Sequence, residues 1–216
     1  MKHQIAPSIL NADFLRLAEV ITMLNQSEAD LIHLDIMDGV FVPNLSFGFP
    51  IISQINEMAE KPLDVHLMIT EPDRYLERFR DAGADFLTVH YEACRDLHAT
   101  LEEISGLGMK ASVSLKPGTE VSVLEPYLPK LDMVLIMTVE PGYGGQSFME
   151  ESYGRVQQLN EMIREAGTHT VIEVDGGIGK GNLHDLKDAG ASVFVIGTSI
   201  FRAADPLDMI RELKRL

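Results

Sequence analysis

The chain has 216 residues, of which 45% are hydrophobic and 24% are charged, a composition typical of globular proteins. This length suits one domain with a large buried core, so we expect residues 1–216 to form a single domain. The formal net charge of −15 argues against nucleic acid and anionic membrane surfaces as partners, because proteins that bind them present basic surfaces.

The sequence also limits the compartment in which we expect the protein. Its longest apolar stretches are much shorter than the ~20 residues that span a bilayer. The N-terminal segment lacks the apolar region and cleavage site of a secretory signal. The single cysteine, Cys94, cannot form an internal disulfide and is typical of reducing compartments. We therefore expect a cytoplasmic protein without a membrane span.

Short apolar segments with the character of strands recur along the whole chain. Dividing 216 residues among eight such units leaves about 27 residues for each, the size of one βα repeat. Alternating βα units predict a parallel sheet, and eight of them favour closure into a (β/α)8 TIM barrel over a doubly wound open sheet. The predicted strands are Gln4–Ser8, Leu31–Asp35, Leu63–Met68, Phe86–His90, Lys110–Ser114, Met133–Met137, Thr170–Val174 and Val193–Ile196.

The segments between the strands carry helical patterning. In residues 11–24 the apolar side chains, Phe14 among them, recur on one helical face. Asp205 precedes Pro206 as a possible N-cap of the last helix. Gly83 stands where a helix should end before the fourth strand.

Side chains alternate between the two faces of a strand, so position parity predicts which residues enter the barrel. His33 and Asp35 share one face of the second strand, whose other face is aliphatic. His66 in the third strand and Asp175 after the seventh point to the same end of the barrel, where barrel enzymes carry their chemistry. One such histidine alone is usually a hydrogen-bonded core residue. Two imidazoles and two carboxylates together predict a site for one divalent metal ion, which could be Zn, Fe, Mn or Co.

Three further polar residues lie at or near the ends of predicted strands. Asp38 has the opposite parity and precedes Gly39, so a turn role is favoured over metal ligation. His90 ends the fourth strand on the inward side and either supports the ligands or lines the pocket. Glu173 could accept a hydrogen bond from a liganding imidazole or form an ion pair elsewhere in the barrel.

Glycine clusters follow the last three predicted strands, at 140–146 (EPGYGGQ), 174–182 (VDGGIGKGN) and 196–199 (IGTS). Loops after the seventh and eighth strands of such barrels often bind phosphate through backbone N–H groups, and glycine lets the backbone approach the anion. Ordinary strand-to-helix turns are the alternative explanation. A phosphate site made from the main chain would let an acidic protein hold an anion.

A metal ion, two aspartates and a separate phosphate site indicate a class of reaction. Asp35 and Asp175 could face one another across a substrate, removing a proton from one side of a carbon and delivering one to the other. The metal could polarise a neighbouring carbonyl and stabilise an enediolate, which favours inversion of a stereocentre next to a ketone. A metal-dependent hydrolase explains the site less well, because hydrolysis needs only one general base.

Six motifs in order, over essentially the whole chain, resemble the ribulose-phosphate 3-epimerase family. They are APSILNADF (6–14), HLDIMDGVFVPN (33–44), DVHLMI (64–69), TVEPGYGGQSF (138–148), VDGGI (174–178) and GTSIF (197–201). The resemblance implies a barrel enzyme of the pentose phosphate pathway that interconverts D-ribulose 5-phosphate and D-xylulose 5-phosphate. It also implies a homo-oligomer of unspecified size.

The resemblance further implies roles for individual residues. The metal ligands would be His33, Asp35, His66 and Asp175, with the two aspartates as acid and base. The remaining implied substrate-binding and pocket-lining residues are Ser8, Gly142, Tyr143, Gly144, Gly145, Gly176, Gly177, Gly197, Thr198, Met37, Met68 and Met137, with His66 also near the substrate. The three methionines at inward strand ends would either fill the core or lower the local dielectric constant.

Two departures from the family pattern leave the substrate open. Tyr143 stands where phenylalanine is usual, and LSFG at 45–48 replaces a common Ile-Thr pair. A related enzyme acting on allulose 6-phosphate is therefore an alternative, although the DGG sequence after the seventh strand favours the pentose. A non-catalytic phosphosugar-binding protein is a second alternative, and the presence of both aspartates argues against it.

Overall fold

The computed structural model describes residues 3–216, which form eight parallel strands with helices between them. The strands pair in the order β1-β8-β7-β6-β5-β4-β3-β2, and a parallel bridge between Ser8 and His33 joins the two ends. The barrel predicted from the sequence is confirmed and the open sheet is wrong, whereas the single domain stays a prediction. The strands are β1 (Gln4–Pro7), β2 (Ile32–Met37), β3 (Leu63–Met68), β4 (Phe86–His90), β5 (Lys110–Leu115), β6 (Met133–Met137), β7 (Val171–Asp175) and β8 (Val193–Ile196).

Helices cover the outside of the barrel, with one interruption. Between β5 and β6 the described chain forms two 3₁₀ turns instead of an α-helix, because Pro117, Pro126 and Pro129 remove N–H donors and break helical geometry there. Strict alternation of strands and α-helices is therefore wrong at this position. The helices are α1 (Leu17–Gln26), α2 (Phe49–Met58), α3 (Leu76–Ala82), α4 (Leu97–Gly106), α5 (Ser152–Ala166), α6 (Leu183–Ala189), α7 (Thr198–Phe201) and α8 (Pro206–Arg215).

The ends of these helices test the sequence predictions individually. Asp205 caps α8 by accepting a hydrogen bond from Asp208 N, and Gly83 ends α3 with a left-handed φ of 103°, as predicted. The first helix begins later than predicted, because Asp13 accepts from Leu15 N and holds a separate 3₁₀ turn. Phe14 lies in that turn and is 44% exposed, so its predicted place on a buried helical face is wrong.

Position parity divides the barrel into two layers with different chemistry. Ile32, Leu34 and Ile36 of β2 are buried against the helices, as predicted. Apolar Leu31, directly before the strand, packs in the lower interior, and the inward residues of the strand begin with polar His33. Burying a large aliphatic side chain contributes about 1.5–3 kcal/mol, so the outer layer stabilises a fold that carries buried polar groups in its interior.

No helix among residues 3–216 combines the length and apolar character that a membrane crossing needs. The cytoplasmic location expected from the sequence stays a prediction. The same holds for the expected homo-oligomer.

A partly buried ion pair joins the C-terminal helix to the seam between β1 and β2. Lys214 Nζ in α8 donates to both carboxylate oxygens of Asp30, at 2.8 and 3.0 Å, and to His3 O at 2.9 Å. Asp30 in turn accepts from Ile5 N in β1 at 2.7 Å. Lys214 is only 14% exposed, so these hydrogen bonds are partly protected from competing water.

We predict that Lys214→Met lowers the free energy of unfolding by about 1–3 kcal/mol, because Asp30 loses its charged donor while the aliphatic stem is kept. Urea unfolding measures the change. Lys180→Met is the matched control: its ion pair with Glu212 is about half exposed on both sides, and we expect a loss below about 1 kcal/mol. Equal losses in the two variants would contradict a structural role for Lys214.

Candidate active site

Four side chains predicted as metal ligands meet at the upper end of the barrel. His33, Asp35, His66 and Asp175 each offer one ligand atom, and these atoms all lie within 4.8 Å of one another. His33 Nε2 is 3.3 Å and His66 Nδ1 is 3.2 Å from the same oxygen, Asp35 Oδ1. His66 Nδ1 is also 4.0 Å from Asp175 Oδ2.

Strand register brings these residues together. Asp35 is paired with His66 across β2 and β3, which places both side chains at one level of the barrel. Asp175 is paired with Met137 on one side and Val195 on the other, at the top of β7. Because parallel strands end at the same edge, inward residues near their C-terminal ends converge on one volume.

The hydrogen bonds of His33 test whether this cluster fits a metal ion. Its Nδ1 atom lies 2.5 Å from Asp64 Oδ2, and a carboxylate can only accept, so Nδ1 donates. His33 Nε2 then faces the cluster, is fully buried and has no hydrogen-bond partner among residues 3–216. An unpartnered imidazole nitrogen beside two carboxylates has the donor chemistry that Zn²⁺ and other divalent transition metals prefer. The residues present therefore fit such an ion, whose identity the donor set leaves open.

Asp64 accepts the hydrogen bond from His33 that the sequence analysis considered for Glu173. Glu173 Oε1 is 4.0 Å from His33 Nδ1, and neither oxygen of its carboxyl group has a hydrogen-bond partner in the described chain. Burial, followed by the charge of Asp64, raises the pKa of Glu173 well above its usual value, which favours the neutral acid. His33, Asp64 and Glu173 also lie within metal-ligand distance of one another. Since His33 Nδ1 donates to Asp64, it has no lone pair for a second ion.

Charges in the cluster are unevenly distributed. Burial acts to raise the pKa of Asp35, but His33 and His66 outweigh it and hold that pKa well below its usual range. Burial also opposes a charge on His33, yet Asp64 and Asp35 raise its pKa. Asp175 shifts the other way: burial and then the charge of Asp35 raise its pKa to about 7. Protons on His33 and Asp175 therefore reduce the negative charge of the cluster, as a bound cation would.

A cavity of about 210 Å³ opens above Asp35 and Asp175. His33 and His66 lie beneath it and are fully buried, so the substrate contact implied for His66 stays a prediction. Ser8 donates to Asp35 Oδ2 at 2.5 Å from the edge of the cavity. The other residues with implied roles that line it are Met37, Met68, Met137, Gly142, Tyr143, Gly144, Gly145, Gly176, Gly177, Gly197 and Thr198.

The loops after β6, β7 and β8 pack closely around this cavity. Gly177 has a left-handed φ of 67°, and a Cβ atom there would lie 2.5 Å from the backbone N of Phe148, so only glycine fits. Tyr143, one of the departures from the family pattern, donates its hydroxyl to Pro43 O at 2.9 Å. This bond ties the loop after β6 to the loop after β2, and a phenylalanine could not make it.

The sequence predicted the position of one further polar residue, Asp38, and missed that of another, Asn11. Asp38 lies outside the cluster, accepting from the backbone N atoms of Val40 and Phe41 and from Thr70, as a turn residue should. Asn11 was missed: its side chain sits between the loops after β6 and β8 and lines the cavity. A polar residue directly after Ile9 and Leu10, in the segment that follows β1, was the available signal.

Comparison with known proteins adds independent information on the family of this chain. The profile described as "Ribulose-phosphate 3 epimerase family" matches residues 4–201. The chain belongs to the ribulose-phosphate 3-epimerase family. A ribulose-phosphate 3-epimerase from Synechocystis sp. is 46% identical, with 98% of this chain and 94% of the relative covered. Another from Bacillus subtilis is 44% identical, with 98% of each chain covered. Membership of the epimerase family makes the chain an isomerase.

More distant solved structures share the barrel of this epimerase-family chain. KGPDC from Streptococcus mutans has a TM-score of 0.75 at 16% identity, covering 100% of this chain and 97% of that one. The 3-hexulose-6-phosphate synthase from Salmonella typhimurium has a TM-score of 0.70 at 20% identity, covering 100% and 97%. At such low identity these likenesses concern the fold alone.

We predict that metal binding to the metal-free protein releases protons and that the apparent affinity rises from pH 6 to pH 8. Below its raised pKa of about 7, Asp175 holds a proton that competes with the cation, and His33 holds another. Titration calorimetry in two buffers of different ionisation enthalpy counts the protons. In Asp175→Asn the release near pH 7 should decrease, whereas His184→Ala, at a histidine 68% exposed, should leave the profile unchanged. An affinity independent of pH in the wild type would contradict this prediction.

Proposed function

We propose that the chain interconverts D-ribulose 5-phosphate and D-xylulose 5-phosphate by exchanging the C3 proton through Asp35 and Asp175. The observation that carries this proposal is the meeting of two carboxylates and two imidazole nitrogens at the floor of one cavity. The names of the relatives from Synechocystis and Bacillus subtilis support the choice of substrate. The proposed activity is thus more specific than the family assignment alone.

The surroundings of the two aspartates suit them to different states of protonation. Asp35 accepts a hydrogen bond from Ser8 and has its pKa lowered by two histidines, so it is an ionised base. Asp175 has its pKa raised to about 7 and keeps an 18% exposed side chain at the cavity floor, so it can gain or lose a proton close to neutral pH. Carboxylates whose pKa values are displaced in opposite directions serve as base and acid. The two roles exchange in the reverse reaction.

The proton at C3 is acidic because the carbanion formed there is conjugated with the adjacent ketone as an enediolate. A divalent cation, when bound, supplies positive charge beside the substrate oxygens, and the residues that would hold it are His33, Asp35, His66 and Asp175. Met37, Met68 and Met137 line the same cavity and add apolar surface to it. Each electrostatic interaction is stronger where water is excluded.

The phosphate group of the substrate fits the glycine-rich side of the cavity. Among the described residues that line the cavity, none is lysine, arginine or histidine. A phosphate would therefore be held by uncharged donors such as backbone N–H and hydroxyl groups, which Gly177, Gly197 and Thr198 bring to the wall. This arrangement accounts for an anionic substrate in a chain with a formal net charge of −15.

We predict that Asp35→Asn and Asp175→Asn each lower kcat by at least ~10²-fold, because the amide keeps the shape of the side chain but cannot transfer the proton. Incubation of metal-loaded wild type with D-ribulose 5-phosphate in D₂O should yield D-xylulose 5-phosphate labelled at C3. Asp188→Asn makes the same chemical change on a side chain that is 73% exposed and should keep full activity. Full activity in either site variant would refute the two-base mechanism.

We also predict a higher kcat/KM for D-ribulose 5-phosphate than for allulose 6-phosphate, by at least about 10-fold. The longer sugar must place one more hydroxylated carbon between the metal ligands and the phosphate loops of a small cavity, at a cost on the order of 1–3 kcal/mol. Steady-state kinetics with both sugars make the comparison. A reversed preference would assign the enzyme to the hexulose phosphate. Binding without turnover would support a phosphosugar-binding protein, and release of inorganic phosphate would support a hydrolase.

A further inference from the structure

A chain of hydrogen-bonded side chains holds His66 from the side opposite the metal cluster. Its Nε2 atom is 2.9 Å from His90 Nε2, and His90 Nδ1 is 3.2 Å from Glu92 Oε2. The other oxygen of Glu92 accepts from Lys116 N at 2.9 Å and from the hydroxyl group of Thr119. This series of hydrogen bonds therefore connects a proposed metal ligand, His66, to the backbone that follows β5.

The chemistry of these partners determines where each proton lies. The carboxylate of Glu92 can only accept, so His90 carries its proton on Nδ1. Neutral His90 then has a lone pair on Nε2, and the proton in the bond to His66 belongs to His66 Nε2. Neutral His66 is left with a lone pair on Nδ1, the atom that lies 3.2 Å from Asp35 Oδ1. A lone pair opposite a carboxylate oxygen is repulsive unless a cation lies between them.

The surroundings of His66 and His90 favour hydrogen bonds to each other and to Glu92 over hydrogen bonds to water. His66 and His90 are both fully buried, and the ring of Phe41 lies 4.7 Å from the ring of His90. Lys116 Nζ in turn lies 3.9 Å from the centre of the Phe41 ring. Without competing water, the tautomer of each histidine depends on its protein partner.

We propose that His90 and Glu92 are positioning residues that keep the proton of His66 on Nε2 and leave its Nδ1 atom free to bind the metal ion. This inference rests on the metal site of the proposed function. For His90 it chooses support of the metal ligands over lining of the pocket, and it adds Glu92, to which the sequence analysis gave no role. Neither residue lines the substrate cavity, so both act through His66.

Glu92→Gln tests the direction of the proton chain without changing the shape of the side chain. The backbone N–H of Lys116 can only donate, so the amide oxygen must take the position of Oε1. The NH₂ group then faces His90 Nδ1, which must accept and so becomes unprotonated. His90 would carry its proton on Nε2, directly opposite the proton on His66 Nε2. Metal binding through His66 Nδ1 then requires one of these hydrogen bonds to be lost.

We predict that Glu92→Gln weakens Zn²⁺ binding by about 10–100-fold, the range seen when the partner of a liganding histidine is removed. Competition with a chromogenic chelator measures the affinity. Glu71→Gln is the matched control, because Glu71 makes ion pairs with Arg74 and Arg95 at the surface, outside this hydrogen-bonded chain. Nitrogen-15 spectra of the Zn²⁺-loaded wild type should also show His90 protonated on Nδ1.

Two outcomes would overturn the positioning role alone. The first is that wild type, Glu92→Gln and Glu71→Gln bind Zn²⁺ with affinities that agree within ~2-fold, the spread expected of a neutral change. The second is that His90 in the Zn²⁺-loaded wild type is protonated on Nε2. No Zn²⁺ binding by the wild type would overturn the proposed metal site and this inference with it. If the variants keep both their activity and their Zn²⁺ affinity, the proposed function stands and the positioning role of His90 is refuted.

A second pair of variants separates the hydrogen bond from a merely structural effect. His90→Gln keeps an acceptor for His66 Nε2 and a donor for Glu92, so it should keep most of the Zn²⁺ affinity. His90→Leu fills a similar volume without either group and should weaken binding at least as much as Glu92→Gln. Equal affinities in these two variants would contradict the role of His90 even if Glu92→Gln failed to fold.

Discussion

The burial of the Asp35 carboxylate is the constraint on which the candidate site depends. The residue is 3% exposed, and an ionised group at such a position is very unfavourable without donors or positive charge. Ser8 supplies a hydroxyl donor, and His33 and His66 face one carboxylate oxygen from two directions. The remaining space in the cluster suits a cation. The other candidate ligands, their partners and the cavity surround this one carboxylate.

Each of the two histidines in the candidate metal cluster is hydrogen-bonded, on the side away from Asp35, to a carboxylate or to a residue that reaches one. His33 donates directly to Asp64, which is fully buried. His66 is connected to Glu92 through His90, over a longer path that ends at the backbone after β5. Because a neutral imidazole has one donor and one acceptor nitrogen, fixing the outer proton also fixes the inner lone pair. Both histidines are thus oriented by a carboxylate, His33 directly and His66 through a second histidine.

The barrel makes this polar interior compatible with a stable fold. Aliphatic residues on the outward faces of the strands form a continuous core with the helices, and apolar residues fill the lower interior. Polar side chains such as His33, His66 and Glu173 are fully buried inside the barrel, below the cavity that the glycine-rich loops surround. The acidic composition is compatible with an anionic substrate, because the cavity wall offers backbone groups rather than basic side chains.

The sequence by itself determined the barrel, the strand bounds to within two residues and the inward faces of β2, β3 and β7. It could do so because strand parity and βα spacing are local properties of the chain. Only the tertiary structure decided that Asp64 rather than Glu173 orients His33, that Asn11 enters the cavity and that Phe14 stays exposed. These outcomes depend on side chains from strands and loops far apart in sequence, and no local pattern contains their distances. Proline distribution between β5 and β6 was visible in the sequence, but its effect on that unit became clear only in the fold.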